Sequence, residues 1–277
     1  MLKSEVNMEK VFASDILLGK VAFVTGGGPG ITGGVARAFA EHGAKLAIVS
    51  RKEENLAAMK ATVEDGGGEC FIVAADVRDY AAVENAIAKT VEHYGKIDIV
   101  VNGAAGNFLC AADQLSPNGF GTVLDIDTKG TFNVCRASFE ALKESKGQIL
   151  NISATLHYLA TPMQIHVSAA KAGVDAITRN LSAEWGRHGI RVNSVGPTYV
   201  MTPPLKAKVA AGERDMNKIM AVHALAELPK PSDIAEAIAF LCSEQARTIT
   251  GVLLPVDSGF LSAVSYRTYA GGVPWKE

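Results

Sequence analysis

Residues 25–34 read TGGGPGITGG and stand between an apolar run of strand length and a stretch with helical spacing. Glycines at Gly26, Gly28 and Gly30 let a backbone turn tightly and approach a bulky anion closely. A helix opening at Gly30, just after Pro29 and before Ile31, would offer that anion its free N–H groups and its positive dipole end. The pattern fits a dinucleotide diphosphate better than a plain glycine turn, because the strand before it and the helix after it are both present. Thr32 stands where a third glycine is common, and Gly33 remains for close packing of the helix.

The tip of the second strand then selects the cofactor. An NAD site places a carboxylate there to take the ribose hydroxyls. Here the residues are Val49-Ser50-Arg51-Lys52, two cations and no acid. A guanidinium fork at Arg51 with added charge from Lys52 suits a 2'-phosphate, so the expectation is NADPH. The plain alternative is a solvated pair opening the next helix. After the third strand, Asp76-Val77 supplies an acid for the adenine amino group. After the fourth, Asn102-Gly103-Ala104-Ala105-Gly106 lets the backbone pass beside the adenosine, with Asn102, Gly103 and Ala104 as the contact candidates. Either alone would be an ordinary turn, but their order along the chain favours the cofactor reading.

The elements that must position these residues follow from periodicity. Apolar runs at 20–25, 45–50, 70–74, 97–102, 148–152, 191–195 and 251–256 read as strands. Helical patterns lie at 30–42, 53–64, 80–93, 127–144 and 164–185, with a last helix capped by Ser232 and running through Cys242. Strand–helix alternation with nearly continuous apolar strands predicts an α/β fold, a single Rossmann-like, doubly wound, parallel seven-stranded sheet with helices on both faces. One dinucleotide-binding and catalytic domain spans 1–277, with an N-terminal extension at 1–19. Residues 198–230 form an irregular region after the sixth strand, read as a substrate lid. A mobile surface excursion is the alternative.

Composition narrows the classes. The 277 residues are 48% hydrophobic and 20% charged, with a net charge of −2. That suits one large α/β domain and not a nucleic-acid binder, which needs concentrated Lys and Arg. The apolar runs are too short for stable membrane insertion. Cys70, Cys110, Cys135 and Cys242 form no CxxC pair, so no metal site is expected, and reduced intracellular thiols are the simple reading.

Taken together, the residues resemble the short-chain dehydrogenase/reductase family over essentially the whole chain. The match is carried by Thr25-Gly26-x-x-x-Gly30, Asp76, residues 102–106, Lys171, Asn193-Ser-Val-Gly-Pro197 and Val256-Asp-Ser-Gly259. Within it, NGAAGNFL (102–109), DIDTKGTFNV (125–134) and NISATLHY with QIHVSAAKAG (151–173) are similar to the peroxisomal type of 2,4-dienoyl-CoA reductase. The parent family works with an Asn-Ser-Tyr-Lys set. Here Asp127 stands at the Asn position, Ala154 at the Ser position, flanked by Ser153 and Thr155, and Val167 at the Tyr position; only Lys171 remains.

That loss fits a change of chemistry. A ketone reductase must protonate an oxygen on the carbon that accepts hydride, and Tyr serves it. A 2,4-dienoyl thioester takes hydride at C5 and delocalises the charge to a distant thioester oxygen, where donors are needed. An acid, or a water held by one, must then protonate carbon. The resemblance implies that Lys171 binds the nicotinamide ribose and that Asp127 orients or activates the proton-delivering water. Asp127 as a helix-start carboxylate is the plainer alternative.

The resemblance also implies an acyl-CoA substrate, a trans-3-enoyl-CoA product and a homotetramer or homodimer. Asn107 and Phe108 follow the fourth strand and should face the substrate, Phe108 contacting the acyl group or simply packing in the core. Ser116 and Asn118 line the same mouth or simply cap a helix. Tyr158 lines the acyl pocket or acts as a relocated proton donor. Lys208, with Lys206, Arg214 and Lys218, is a candidate for the coenzyme A phosphates. In residues 197–202, PTYVMT, the loop of Pro197, Thr198, Val200 and Thr202 should reach the cofactor, with Thr198 where the family often has glycine. A peroxisomal location follows from the resemblance. The chain ends in Pro274-Trp-Lys-Glu277 without a Ser-Lys-Leu address, which leaves cytoplasmic and mitochondrial locations open. Two rival functions remain: another reductase of this fold, acting on 2-enoyl-CoA or on carbonyls through Tyr158, and a catalytically silent NADPH-binding protein.

Overall fold

A computed structural model describes residues 13–225 and 227–263. The C-terminal tetrapeptide and residues 1–12 lie outside the described residues. Strands β1 (Val21–Thr25), β2 (Lys45–Ser50), β3 (Cys70–Ala74), β4 (Ile99–Asn102), β5 (Gln148–Ile152), β6 (Arg191–Pro197) and β7 (Leu253–Val256) form one sheet. Its order is β3-β2-β1-β4-β5-β6-β7, and every pairing is parallel. The chain reverses its direction of sheet growth between β1 and β4, and that switch opens a crevice at the strand C-termini.

The strands look continuously apolar because both faces are buried. Ala22 and Val24, Leu46 and Ile48, and Ile99 and Val101 face one core, with helices α1 (Ile31–Glu41), α2 (Glu53–Asp65) and α9 (Pro231–Leu241). Phe23, Ala47, Val49 and Val100 face the other, with α3 (Tyr80–Tyr94) and α5 (Gly130–Ser145). Each fully buried large side chain, such as Phe23 or Ile48, contributes roughly 1.5–3 kcal/mol. Helix α1 packs against α9 so closely that a Cβ on Gly34 would lie 2.8 Å from both Cβ and O of Pro231.

Four expectations need correction. The helix expected at 127–144 begins much earlier. Ser116 caps α4 (Pro117–Leu124), which runs through a π-helical segment (Asp125–Lys129) into α5. Gly119 and Gly121 hide the first part of it in the sequence. The last helix is not capped by Ser232. Pro231 takes its first position, where a missing N–H costs nothing, Lys230 precedes it, and the helix ends at Leu241 rather than Cys242. Asp233 does sit in the first turn, and its Oδ2 accepts from Lys230 N at 2.7 Å.

The region 198–230 is not irregular. It folds into α7 (Pro203–Ala210), capped by Thr202, and α8 (Met216–Met220), capped by Asp215. The described part of the N-terminal extension is docked, with Leu17 fully buried and its N–H bonded to His42 O at 3.0 Å. Among the described residues, no helix is long and apolar enough to cross a membrane.

Candidate active site

The crevice is built at the tips of β1, β4, β5 and β6. Thr25 ends β1, and its Oγ1 accepts from Gly103 N at 3.1 Å and Ala104 N at 3.3 Å, joining the two strands across the switch point. Gly26 has φ +90°, and a Cβ there would lie 2.7 Å from Gly103 O, so only glycine fits. At Gly28 a Cβ would meet nothing within 4 Å, which leaves the turn open toward the crevice. Thr32 donates its hydroxyl to Gly26 O, which ties the turn down from the third-glycine position. Gly33 packs as expected, its Cβ direction blocked by Gly28 O and Met59.

Helix α1 starts with Gly30 as its cap, with no side-chain cap bond and no acid in its first turn. Ile31 is its first residue, partly buried, and Pro29 is exposed beside it. Thr202 lies over this turn, 3.8 Å from where a Gly30 Cβ would be. An uncapped helix start above an open glycine turn fits a diphosphate.

Farther along the crevice rim, Arg51 and Lys52 are exposed at the tip of β2. Asp76 does not stand alone. Arg78 donates to both of its oxygens, Nη2 lying 2.6 Å from Oδ2, and this pairing holds the Asp76 carboxyl below its usual range. Arg78, not singled out in the sequence, thus adds a third cation to the rim. Val77 is buried against Gly130, and its carbonyl accepts from Asn133 Nδ2 at 2.8 Å. Asn102 turns its side chain into the sheet, donating to Asn151 Oδ1 at 2.9 Å, so only backbone at this tip faces the crevice.

At the other end of the crevice, Asp127 sits in the middle of the π-helical segment, not at a helix start. The wider turn is marked by Gly130 N donating to Asp125 O, five residues back. Asp127 is 0% exposed, and its Oδ1 accepts from Gly106 N at 2.7 Å. Lys171, on helix α6 (Ile165–Trp185), is 7% exposed and donates to Ile152 O at 2.9 Å. Its Nζ also lies 3.1 Å from Asp127 Oδ2, an oxygen to which no well-directed hydrogen bond runs among the described residues. Thr128 fastens the π segment to α6 by donating to Ala170 O at 2.9 Å. Val167, one turn before Lys171, is buried with Val123 and Ala170. Ser153 is buried with its Oγ unpartnered among the described residues, Ala154 is partly buried, and Thr155 donates its N–H to Pro197 O at 3.1 Å.

The remaining candidates are dispersed around this centre. Asn107 Oδ1 accepts from Gln164 Nε2 at 3.1 Å, and Phe108 is 42% exposed. Ser116 accepts from Gly119 N at 3.0 Å as a helix cap, and Asn118 O accepts from Thr122 Oγ1 in the same helix. Tyr158 is 50% exposed and donates its hydroxyl to Asp175 Oδ2 at 3.1 Å. Burial and the Asp175 carboxylate both raise its pKa. His157 also binds that oxygen, at 2.7 Å. Thr198 donates to His223 Nε2 at 3.1 Å, and His223 Nδ1 donates to Ile219 O at 2.8 Å, which fastens the β6 tip to α8. Val200 is buried, and its carbonyl accepts from Thr202 N at 2.6 Å. Lys206, Lys208 and Lys218 are exposed on α7 and α8, with Arg214 partly buried between them. Thr128, His166 and Asp175 went unread as site residues because their contacts are long-range.

A seven-stranded parallel sheet with a glycine turn at its switch point defines a dinucleotide-binding oxidoreductase fold. The chain belongs to the short-chain dehydrogenase/reductase family. The family model described as "Enoyl-(Acyl carrier protein) reductase" matches residues 27–261. Membership and fold imply a nicotinamide cofactor. The chain is 42% identical over 262 residues to a peroxisomal 2,4-dienoyl-CoA reductase, (3E)-enoyl-CoA-producing, of Arabidopsis thaliana, covering 91% of this chain and 88% of that one. It is 43% identical to the protein of the same description from Saccharomyces cerevisiae, covering 91% and 87%. A solved short chain dehydrogenase from Bacillus anthracis superposes with a TM-score of 0.79 at 37% identity, covering 88% of this chain and 97% of that one.

Proposed function

We propose that this chain reduces 2,4-dienoyl-CoA thioesters with NADPH to trans-3-enoyl-CoA, a step in β-oxidation of unsaturated acyl chains. The observation that carries the reading is the buried Asp127–Lys171 pair beside an apolar Val167. A ketone reductase needs a phenol or an equivalent acid where Val167 stands. A dienoyl reductase needs instead a group that manages a proton at carbon, away from the carbon that accepts hydride.

When bound, NADPH supplies the hydride. Arg51 and Lys52, aided by Arg78, hold the 2'-phosphate, and the uncapped start of α1 holds the diphosphate. Lys171 bonds the nicotinamide ribose and is itself fixed by Ile152 O. Gly106 N and the Lys171 ammonium orient the Asp127 carboxylate from two sides. Asp127, through the unfilled lone pair on Oδ2, holds the water that hands a proton to C2 of the dienolate. Phe108 and Asn107 contact the acyl chain, and Lys208 with its neighbours on α7 and α8 meets the coenzyme A phosphates. Tyr158 is not the donor in this scheme, since Asp175 engages its hydroxyl. The assembly is a homotetramer or homodimer and the location peroxisomal; light scattering and localisation of a tagged chain check these.

The test is NADPH oxidation at 340 nm with 2,4-hexadienoyl-CoA, with NADH and a simple ketone as controls. Turnover of the dienoyl thioester with NADPH, and none of the ketone, supports the reading. Tight NADPH binding without any turnover would support the silent-protein alternative instead.

A further inference from the structure

His166 stands immediately before Val167 in the first turn of α6 and is fully buried. Its ring stacks on Phe108 at a centroid distance of 4.3 Å, tilted by 32°. Its Nε2 lies 3.0 Å from Phe108 O. A carbonyl oxygen only accepts, so Nε2 carries the hydrogen and donates it. Nδ1 is then left without a hydrogen-bond partner among the described residues. Leaving a buried polar atom unmet costs free energy. Packing alone would be served better by an apolar ring.

Two further contacts tie the same two segments together. Gln164 Nε2 donates to Asn107 Oδ1 at 3.1 Å, and Cys110 N donates to Met163 O at 3.0 Å. Met163 has φ +67°, a left-handed conformation that is strained for a residue with a side chain. Residues 107, 108 and 110 are thus tied to 164, 166 and 163. On its other side Phe108 Cζ lies 3.4 Å from where a Gly119 Cβ would be, so α4 backs the ring. Phe108 is fixed at its edge and backbone yet 42% exposed, a wall held for something to lie against.

We propose that His166 is a positioning residue for acyl recognition: it fixes Phe108 as the wall of the acyl site on the helix that carries Lys171. The ring stack sets the angle of the wall and the Nε2–H bond sets its depth. The inference rests on the acyl-CoA reading above and goes beyond it by assigning chain discrimination to a residue that need not touch the reacting atoms. Losing either contact should loosen the hold on long acyl chains more than on short ones, because a longer chain covers more of the wall.

The test compares His166→Phe, which keeps a ring and loses the donor, with His166→Gln, which keeps a donor and loses the ring. Gln164→Ala, at a partly exposed position, is a milder third variant that leaves the core intact. KM and kcat are measured with 2,4-hexadienoyl-CoA and 2,4-decadienoyl-CoA, together with equilibrium binding of decanoyl-CoA and of NADPH. The expected result is a rise on the order of 10-fold in KM for the decadienoyl substrate in both His166 variants, with kcat and NADPH affinity nearly unchanged. Decanoyl-CoA binding should weaken in step, and Gln164→Ala should move the same way by less. Unchanged KM and decanoyl-CoA affinity would overturn the inference. So would losses spread equally over kcat, NADPH binding and thermal stability, since a merely structural residue gives that pattern. If the His166 variants do not fold, an unchanged chain-length preference in Gln164→Ala overturns it. Wild-type protein that binds decanoyl-CoA without turnover would sink the proposed reaction alone, and the binding arm would still decide the role of His166. Wild-type protein that binds no acyl-CoA would overturn both.

Discussion

Lys171 Nζ lies 3.1 Å from Asp127 Oδ2, and the two buried groups come from different elements, the π-helical segment and α6. Burying two opposite charges is worthwhile only when each is held by further partners. Gly106 N and Ile152 O are those partners. Asp127→Ala removes the carboxylate and should lower kcat on the order of 100-fold or more, with NADPH affinity little changed. Stopped-flow and steady-state rates check this. An unchanged kcat would take Asp127 out of the mechanism.

In the proposed function the cations at the tip of β2 carry the preference for NADPH. Arg51→Ala should weaken NADPH binding by roughly 10- to 100-fold, the worth of one charge-assisted phosphate contact, and leave NADH binding nearly unchanged. Fluorescence titration of both cofactors reads the difference. Equal losses for the two would mean that Arg51 does not grip the 2'-phosphate.

The fold was legible because periodicity survives burial on both faces: all seven strands match to within two residues at each end. The glycine turn was legible from residue type and position, whereas Asp127 and Lys171 were singled out by the resemblance, and the structure brings those two side chains together. The start of α4 was not, because Pro117, Gly119 and Gly121 read as loop residues until Ser116 caps them. The helices of 198–230 were hidden by a weakly amphipathic, Pro- and Lys-rich sequence. The partners that orient Asp127 and Lys171 are backbone groups of Gly106 and Ile152, which no side-chain pattern announces. Arg78 was passed over because its role depends on Asp76, two residues away, rather than on a motif.

Thiol chemistry separates the core from the crevice. Burial pushes Cys135 and Cys242 up to about 12, and Cys70 likewise to about 12. The thiolate is the reactive form, so these three are unreactive near pH 8 in the folded protein. Cys110 is partly exposed and should take up a maleimide first. Mass spectrometry of the native protein should therefore find one rapid label, with the other three appearing only on unfolding. Rapid labelling of Cys135 or Cys242 would contradict the burial described for them.

The contact between α1 and α9 leaves no room for a side chain at Gly34. Gly34→Ala should destabilise the fold by about 1–3 kcal/mol through overpacking against Pro231, despite the better helix propensity of alanine. A thermal melt would show a Tm lower by several degrees. An unchanged or higher Tm would mean that α9 can move away at no cost.

In the proposed function Val167 marks a different reduction rather than a lost one. The most direct measurement is isotope tracing with NADPH deuterated at nicotinamide C4 and 2,4-hexadienoyl-CoA, read by NMR of the product, with a parallel run in D2O. The expected product carries deuterium from the cofactor at C5, deuterium from solvent at C2, and its remaining double bond between C3 and C4. Cofactor deuterium at C3, or on a carbinol carbon with a ketone substrate, would contradict it.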